Sequence, residues 1–147
     1  MKVTRLCASL CLSVGLAMVS ANAQASFVEG KVPFGFTVLG KTFPAGEYRM
    51  VAAPHQVRIE DARGKLIAMV LANDVADRSA GKNCCQIIFH CYGDHCFLAE
   101  VWFSAQGSGR QLLTSRAEAK WAKAEKGKYF AVLGDRPGGS GPRNTFE

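Results

Sequence analysis

The sequence predicts a mainly β protein, an antiparallel β-sandwich or partly open β-barrel with one C-terminal α-helix. Three observations carry that expectation. Short segments rich in β-branched and aromatic residues recur along the chain, separated by Gly, Pro and Asp turn signals. The stretch from Cys85 to Phe103 folds back about Gly93-Asp94 and is apolar at nearly every position of both arms, so it needs cover on both faces and belongs at the centre of the structure. The segment from Ser115 to Gly127 carries helix start and stop signals.

The chain opens with Lys2 and Arg5, continues through an apolar run from Leu6 to Val19, and reaches small residues at Ala21-Asn22-Ala23 and Ala23-Gln24-Ala25. A basic start, a short apolar run and an A-x-A exit describe a signal peptide over residues 1–25, cleaved after Ala23 or Ala25. A membrane anchor would need ~20 apolar residues, more than the run supplies, so no membrane span is expected once the leader is gone. Cys11 sits deep in the run without a leucine three residues before it, which argues against a lipoprotein anchor. The expected location is the periplasm or the extracellular space, with one domain over residues 26–133 and a disordered Gly/Pro-rich tail over 134–147. Removing Lys2 and Arg5 leaves 16 basic against 12 acidic side chains, a net charge of +4 spread along the chain. No basic run argues for nucleic-acid binding.

Phe27 to Val32 reads as a first strand, limited by Pro33 to an edge. Phe34, Phe36 and Val38 share one face of the next strand, Leu39-Gly40-Lys41 turns the chain, and Thr42-Phe43 returns briefly. Pro44-Ala45-Gly46 forms another turn, followed by a strand over Glu47 to Val51. Gln56 to Glu60 alternates polar and apolar side chains as a strand with one wet face does, and Asp61-Ala62-Arg63-Gly64 fits a hairpin loop. Lys65 to Leu71 reads as a mostly buried strand, Ala72 to Asn83 as the longest loop, and Ser104 to Arg110 as a flexible connection. In Ser115-Arg116-Ala117-Glu118 the spacing is that of a capping box, with a helix over 116–126 whose face Ala117, Trp121 and Ala124 lies on the sheet or over a barrel end. Tyr129 to Leu133 adds a last strand.

Centring the hairpin on Gly93-Asp94 pairs Tyr92 with His95, Cys91 with Cys96, His90 with Phe97 and Phe89 with Leu98. Facing Cα atoms of a non-hydrogen-bonded pair lie roughly 4.5 Å apart, within disulfide range, so Cys91 and Cys96 are expected to be bonded in the oxidising compartment that export implies. Cys85 and Cys91 are about 20 Å apart along one extended strand, which no disulfide spans. Cys84 and Cys85 are left with a vicinal bond to each other, a reduced state, or pairing between chains.

The residues Val32-Pro33-Phe34 with Phe36-Thr37-Val38, Pro44-Ala45-Gly46-Glu47-Tyr48, and Phe89-His90 with Tyr92-Gly93-Asp94 and Phe97-Leu98 resemble a group of small exported proteins of Gram-negative bacteria. The resemblance spans roughly residues 30–126, including the Ser115 helix start. It implies export and a single β domain, and it supplies no activity and no catalytic residue. This chain departs from the pattern in carrying cysteine at 91 and 96, which marks the disulfide as a local elaboration.

The chemistry-bearing side chains concentrate at Cys84, Cys85, His90, Cys91, His95 and Cys96. Structural zinc sites use C-x-x-C-like spacing, absent here, and the register puts His90 on the opposite strand face from Cys91, so no metal site and no cofactor is expected. Nor does the chain contain G-x-S-x-G, H-E-x-x-H or a phosphate-binding glycine loop opening a helix. Glu100 falls opposite Ile87 on an apolar face, which calls for a Lys or Arg partner or a place at a pocket mouth. Tyr92, Asp94 and His95, exposed at the turn, form a candidate contact patch. These readings together describe an exported, non-enzymatic binding or structural module of the cell envelope, its partner an envelope component or a small ligand. One alternative is a small hydrolase or metal-binding protein using His90, Asp94, His95 and Glu100. Another is a barrel that carries an apolar ligand, as the many Phe side chains allow.

Overall fold

A computed structural model describes residues 25–76, 85–104 and 107–135. Cys84, residues 1–24 of the proposed leader and residues 136–147 of the proposed tail lie outside them. Among the described residues ten strands and one helix follow in the order β1 (Phe27–Val32), β2 (Phe36–Val38), β3 (Lys41–Phe43), β4 (Gly46–Ala53), β5 (Gln56–Asp61), β6 (Leu66–Ala76), β7 (Gln86–Tyr92), β8 (His95–Trp102), β9 (Ser108–Leu112), α1 (Arg116–Ala124) and β10 (Lys128–Leu133). The sheet runs β1-β4-β5-β6-β9-β8, and β8 branches, continuing to β2-β3 at one end and carrying β7-β10 along its other side. All pairings are antiparallel except the contact of Thr37 with Phe97 between β2 and β8.

The sheet does not close into a barrel, but its two ends touch at one point. Glu29 of β1 and Asp135 exchange backbone hydrogen bonds of 3.2 and 2.8 Å, and the Gly134 N–H donates to the Cys85 carbonyl at 2.8 Å. A Cβ on Gly134 would collide with Val28 Cγ2 and come within 2.8 Å of the Glu29 carbonyl oxygen, so only glycine lets the backbones approach this closely. Gly134 and Asp135 are therefore tied down, where the sequence reading places the start of the disordered tail.

Alternate residues of the strands face a common interior. Val28 and Val32, Met50, Val57 and Ile59, Ile87 and Phe89, Leu98 and Val101 are buried in one cluster with Phe36, Phe43 and Tyr48. The Phe36 ring meets those of Tyr48 and Phe89 edge-on at 5.0 and 5.2 Å, and the Tyr48 hydroxyl donates to the Pro44 carbonyl at 2.6 Å. The space is filled by side chains.

Three expectations change. β6 is not mostly buried: Leu66, Met69 and Leu71 are exposed, because this long strand shows its outer face to solvent. Ala72 to Ala76, read as part of a loop, continue β6, and Ser108 to Arg110, read as a flexible connection, belong to β9. The two pair from Ala72 opposite Leu112 to Ala76 opposite Ser108. Such pairing joins residues far apart in the chain, and the small side chains there give no local strand signal.

Candidate functional site

The register of the β7–β8 hairpin positions everything else in the site. Tyr92 faces His95, Cys91 faces Cys96, His90 faces Phe97 and Phe89 faces Leu98, as expected. Gly93 takes φ 57° while Asp94 does not adopt positive φ, the pattern of a turn with glycine in its first central position. Beyond Leu98 the register shifts. Ala99 is an extra residue on β8, so Ile88 rather than Ile87 lies opposite Glu100. This bulge turns Glu100 away from the apolar interior and brings Val101 into it opposite Ile87. An unpartnered carboxylate in the core would cost several kcal/mol, more than one interrupted ladder position. Among the described residues Glu100 accordingly makes no ion pair with Lys or Arg, the partner that the unbroken register called for. Its carboxylate accepts a 2.9 Å hydrogen bond from Trp102 Nε1 instead.

On the inner face, Cys91 and Cys96 form a disulfide, with Cα atoms 4.0 Å apart. Both belong to the core cluster, so the bond is buried, not at an exposed hairpin end. Cys85 is also buried, with positive φ of 70° and its Sγ 3.7 Å from the Phe103 carbonyl oxygen.

The outer face carries the polar groups, and α1 covers its turn end. Ser115 Oγ accepts the Glu118 N–H at 3.0 Å, the first half of a capping box. The second half is replaced. The Glu118 carboxylate, only 5% exposed, turns down onto the hairpin and lies 3.0 Å from His90 Nδ1. One turn further along α1, Trp121 stacks on His95 with ring centroids 3.9 Å apart. The helix thus rests on the hairpin through Glu118 and Trp121, whereas Ala117 and Ala124 are exposed. Hydrogen bonding of a carboxylate to an imidazole outweighs the weak apolar pull of two alanines.

Tyr92 is buried under this cover, against the Phe97 ring at 6.1 Å, where the sequence reading has it exposed. The cause is Gly127, whose missing side chain lets the α1–β10 connection press on the Tyr92 ring: a Cβ there would stand 2.8 Å from Tyr92 Cε1. Burial raises the Tyr92 phenol above the ordinary tyrosine range, and the negative charges of Glu118 and ionised Tyr129 add to the shift. Of the proposed patch, Asp94 and His95 remain exposed.

β10 lies along the free side of β7, with Tyr129 opposite His90 and Lys128 opposite Cys91. Between it and the end of α1 runs a cleft of about 400 Å³ lined by His90, Tyr92, Lys123, Lys126, Lys128 and Tyr129 among others. The His90 ring meets Tyr129 edge-on at 4.7 Å, and its Nε2 is buried with no hydrogen-bond partner among the described residues. A second cleft of about 470 Å³ opens near the hairpin turn between Phe34, Thr42, Asp94 and Phe130.

His90 and His95 therefore share a face but have separate partners, and Glu100 is bound to Trp102. Among the described residues no three His, Cys, Asp or Glu side chains converge to hold a metal ion, and no helix is long and apolar enough to cross a membrane. The pairing of His90 with Glu118, 28 residues away, has no local signature in the sequence. Comparison with known proteins finds no matching family, no similar curated protein and no similar solved structure.

Proposed function

We propose that this protein is an exported, non-enzymatic binding module of the cell envelope and that the cleft between α1 and β10 is its contact site. The observation that carries the reading is the Cys91–Cys96 disulfide buried in the core. A bond built into the central hairpin fits an oxidising compartment, to which a signal peptide over residues 1–25 would deliver the chain. Binding is favoured over catalysis by the state of His90. Its Nδ1 is held by Glu118 in the way an orienting carboxylate holds a catalytic base, yet its Nε2 faces no hydroxyl or thiol nucleophile among the described residues. An apolar-ligand carrier has less support, since Phe36, Phe89, Met50 and Ile59 fill the interior it would need.

Expression of the full-length chain in a Gram-negative host, followed by periplasmic extraction and mass spectrometry, tests the reading. A periplasmic product beginning at Gln24 or Ser26, with Cys91 and Cys96 in one disulfide-linked peptide, is the expected result. A full-length cytoplasmic product with both thiols open to alkylation would overturn it.

A further inference from the structure

We infer that the cleft between α1 and β10 takes an acidic glycan: a sugar unit bearing a carboxylate or phosphate group, with free hydroxyls. The inference rests on the binding-module reading and names the ligand class of that site. Three independent features of the cleft each ask for one part of such a molecule.

The first is charge. Lys123, Lys126 and Lys128 all line the cleft, and among the described residues none of them takes part in a salt bridge. Lys123 lies in the last turn of α1, where the helix dipole alone accounts for a cation. Lys126 and Lys128 lie beyond the Glu125 cap, so the dipole does not account for them. Glu125, the carboxylate among the lining residues, points toward the hairpin turn, its Oε2 3.0 Å from where a Cβ on Gly93 would stand. The lysines are thus left to an anion from solution.

The second is the flat ring of Tyr129, whose edge-on contact with His90 leaves it 76% exposed at the cleft, where it can receive the apolar face of a pyranose. The third is His90. Its Nδ1 is paired with the Glu118 carboxylate, and its buried Nε2 has no hydrogen-bond partner among the described residues. An unsatisfied buried polar nitrogen is costly, and a ligand hydroxyl, which can donate or accept, would satisfy it. A bare phosphate would use the lysines and leave the ring and the imidazole idle. An apolar molecule would use the ring alone. A hydroxylated sugar with an acidic substituent uses all three.

Titration calorimetry on the mature, disulfide-bonded protein tests this with tetragalacturonate as the probe. The expected result is saturable binding with Kd below about 1 mM, weakened about tenfold or more by Lys126→Ala/Lys128→Ala and by Tyr129→Ala. These three positions are on the surface, and circular dichroism of each variant checks that the fold is retained. His90→Gln, whose amide still reaches toward Glu118, is expected to weaken binding without removing it. Equal binding of cellotetraose, unchanged binding by the lysine variant, or equal affinity for single-stranded DNA or anionic phospholipid vesicles would each overturn the glycan assignment. So would no binding at all. If the protein is exported and oxidised yet fails to bind, the ligand class falls and the export reading stands; a cytoplasmic, reduced protein that still binds the probe would fell the export reading and leave the ligand class standing.

Discussion

The two faces of the β7–β8 hairpin are built from alternate residues of the same strands, and they do opposite things. The inner face, Ile87, Phe89, Cys91, Cys96, Leu98 and Val101, is buried, with Cys91 and Cys96 reaching the wall of the cleft near the turn. The outer face, Tyr92, His90, Ile88, His95, Phe97, Glu100 and Trp102, is covered at the turn end by a helix through a carboxylate–imidazole pair and a ring stack. The central pair is thus not walled in by sheet on both sides: a helix supplies the second wall, and only over part of the face. The difference teaches how a small β-domain keeps a filled interior and a chemically varied surface within one hairpin. Period-two alternation separates the two sets, and a single bulge at Ala99 restores the separation where the sequence would have put Glu100 inside.

If the inner face supplies the stability, truncating its centre is the most damaging single change. Phe89 is fully buried and touches the rings of Phe34 and Phe36, both at 5.2 Å. Phe89→Ala is expected to cost about 3–5 kcal/mol, read from the urea midpoint, against a much smaller loss for truncating Tyr129 on the outer side. An equal cost for both would erase the distinction between the faces. The disulfide ranks next. Cys91→Ala/Cys96→Ala is expected to lose about 2 kcal/mol and keep the fold, because the bond closes a short loop. Alanine is the appropriate replacement, since a serine hydroxyl at either buried position would add an unpaired polar group. Complete unfolding of the double variant would show that the bond defines the hairpin instead of fastening it.

Much of the inner face was legible in the sequence, because its signals are local. The alternation of Gln56 to Glu60, the Gly93-Asp94 turn, the facing cysteines and the Ser115 cap are each written within a few residues. The sequence showed the bulge only as an oddity, Glu100 falling on an otherwise apolar face; in the structure the core cluster takes Cys96 and Leu98 and then Val101 and Phe103, a change of phase from even to odd that a continuous strand cannot produce. The outer face was read less well, since its contacts are set by where α1 lands. Glu118 reads as the second half of a capping box until His90 is known to lie beneath it, and Tyr92 reads as a turn residue until Gly127 is placed on its ring. The β6–β9 pairing failed for the same reason: Asp74 and Arg110 lie opposite each other with a 3.1 Å ion pair, across an intervening stretch that says nothing of it.

On the outer face, Glu118→Ala removes the partner of a half-buried imidazole and is expected to cost about 1–3 kcal/mol and loosen α1, detected as faster amide exchange over Arg116 to Ala124. Glu118→Gln keeps an acceptor for the Nδ1 proton and should cost less. Equal effects of the two would mean that charge, not the hydrogen bond, holds the helix.

The smallest effect is one of alkaline pH, and it separates the faces again. Tyr48 on the inner side and Tyr92 on the outer both have phenols raised above the ordinary value near 10.0, Tyr48 by burial and Tyr92 by burial together with Glu118 and Tyr129. A phenol raised by folding is neutral in the native state and ionises more readily when unfolded. Its contribution is therefore fully present below the ordinary tyrosine value and is lost as pH rises through the higher native one. Thermal melts are expected to fall through that interval, and Tyr92→Phe should flatten part of the fall while leaving the part due to Tyr48. Only the Tyr92 part depends on a neighbouring charge, so Glu118→Gln should shift it slightly toward lower pH and leave that of Tyr48 in place. Tyrosine absorbance titration of the two single variants separates these limbs. A shift of both together would mean that loss of α1 contact loosens the interior, and that the two faces are coupled more tightly than their chemistry implies.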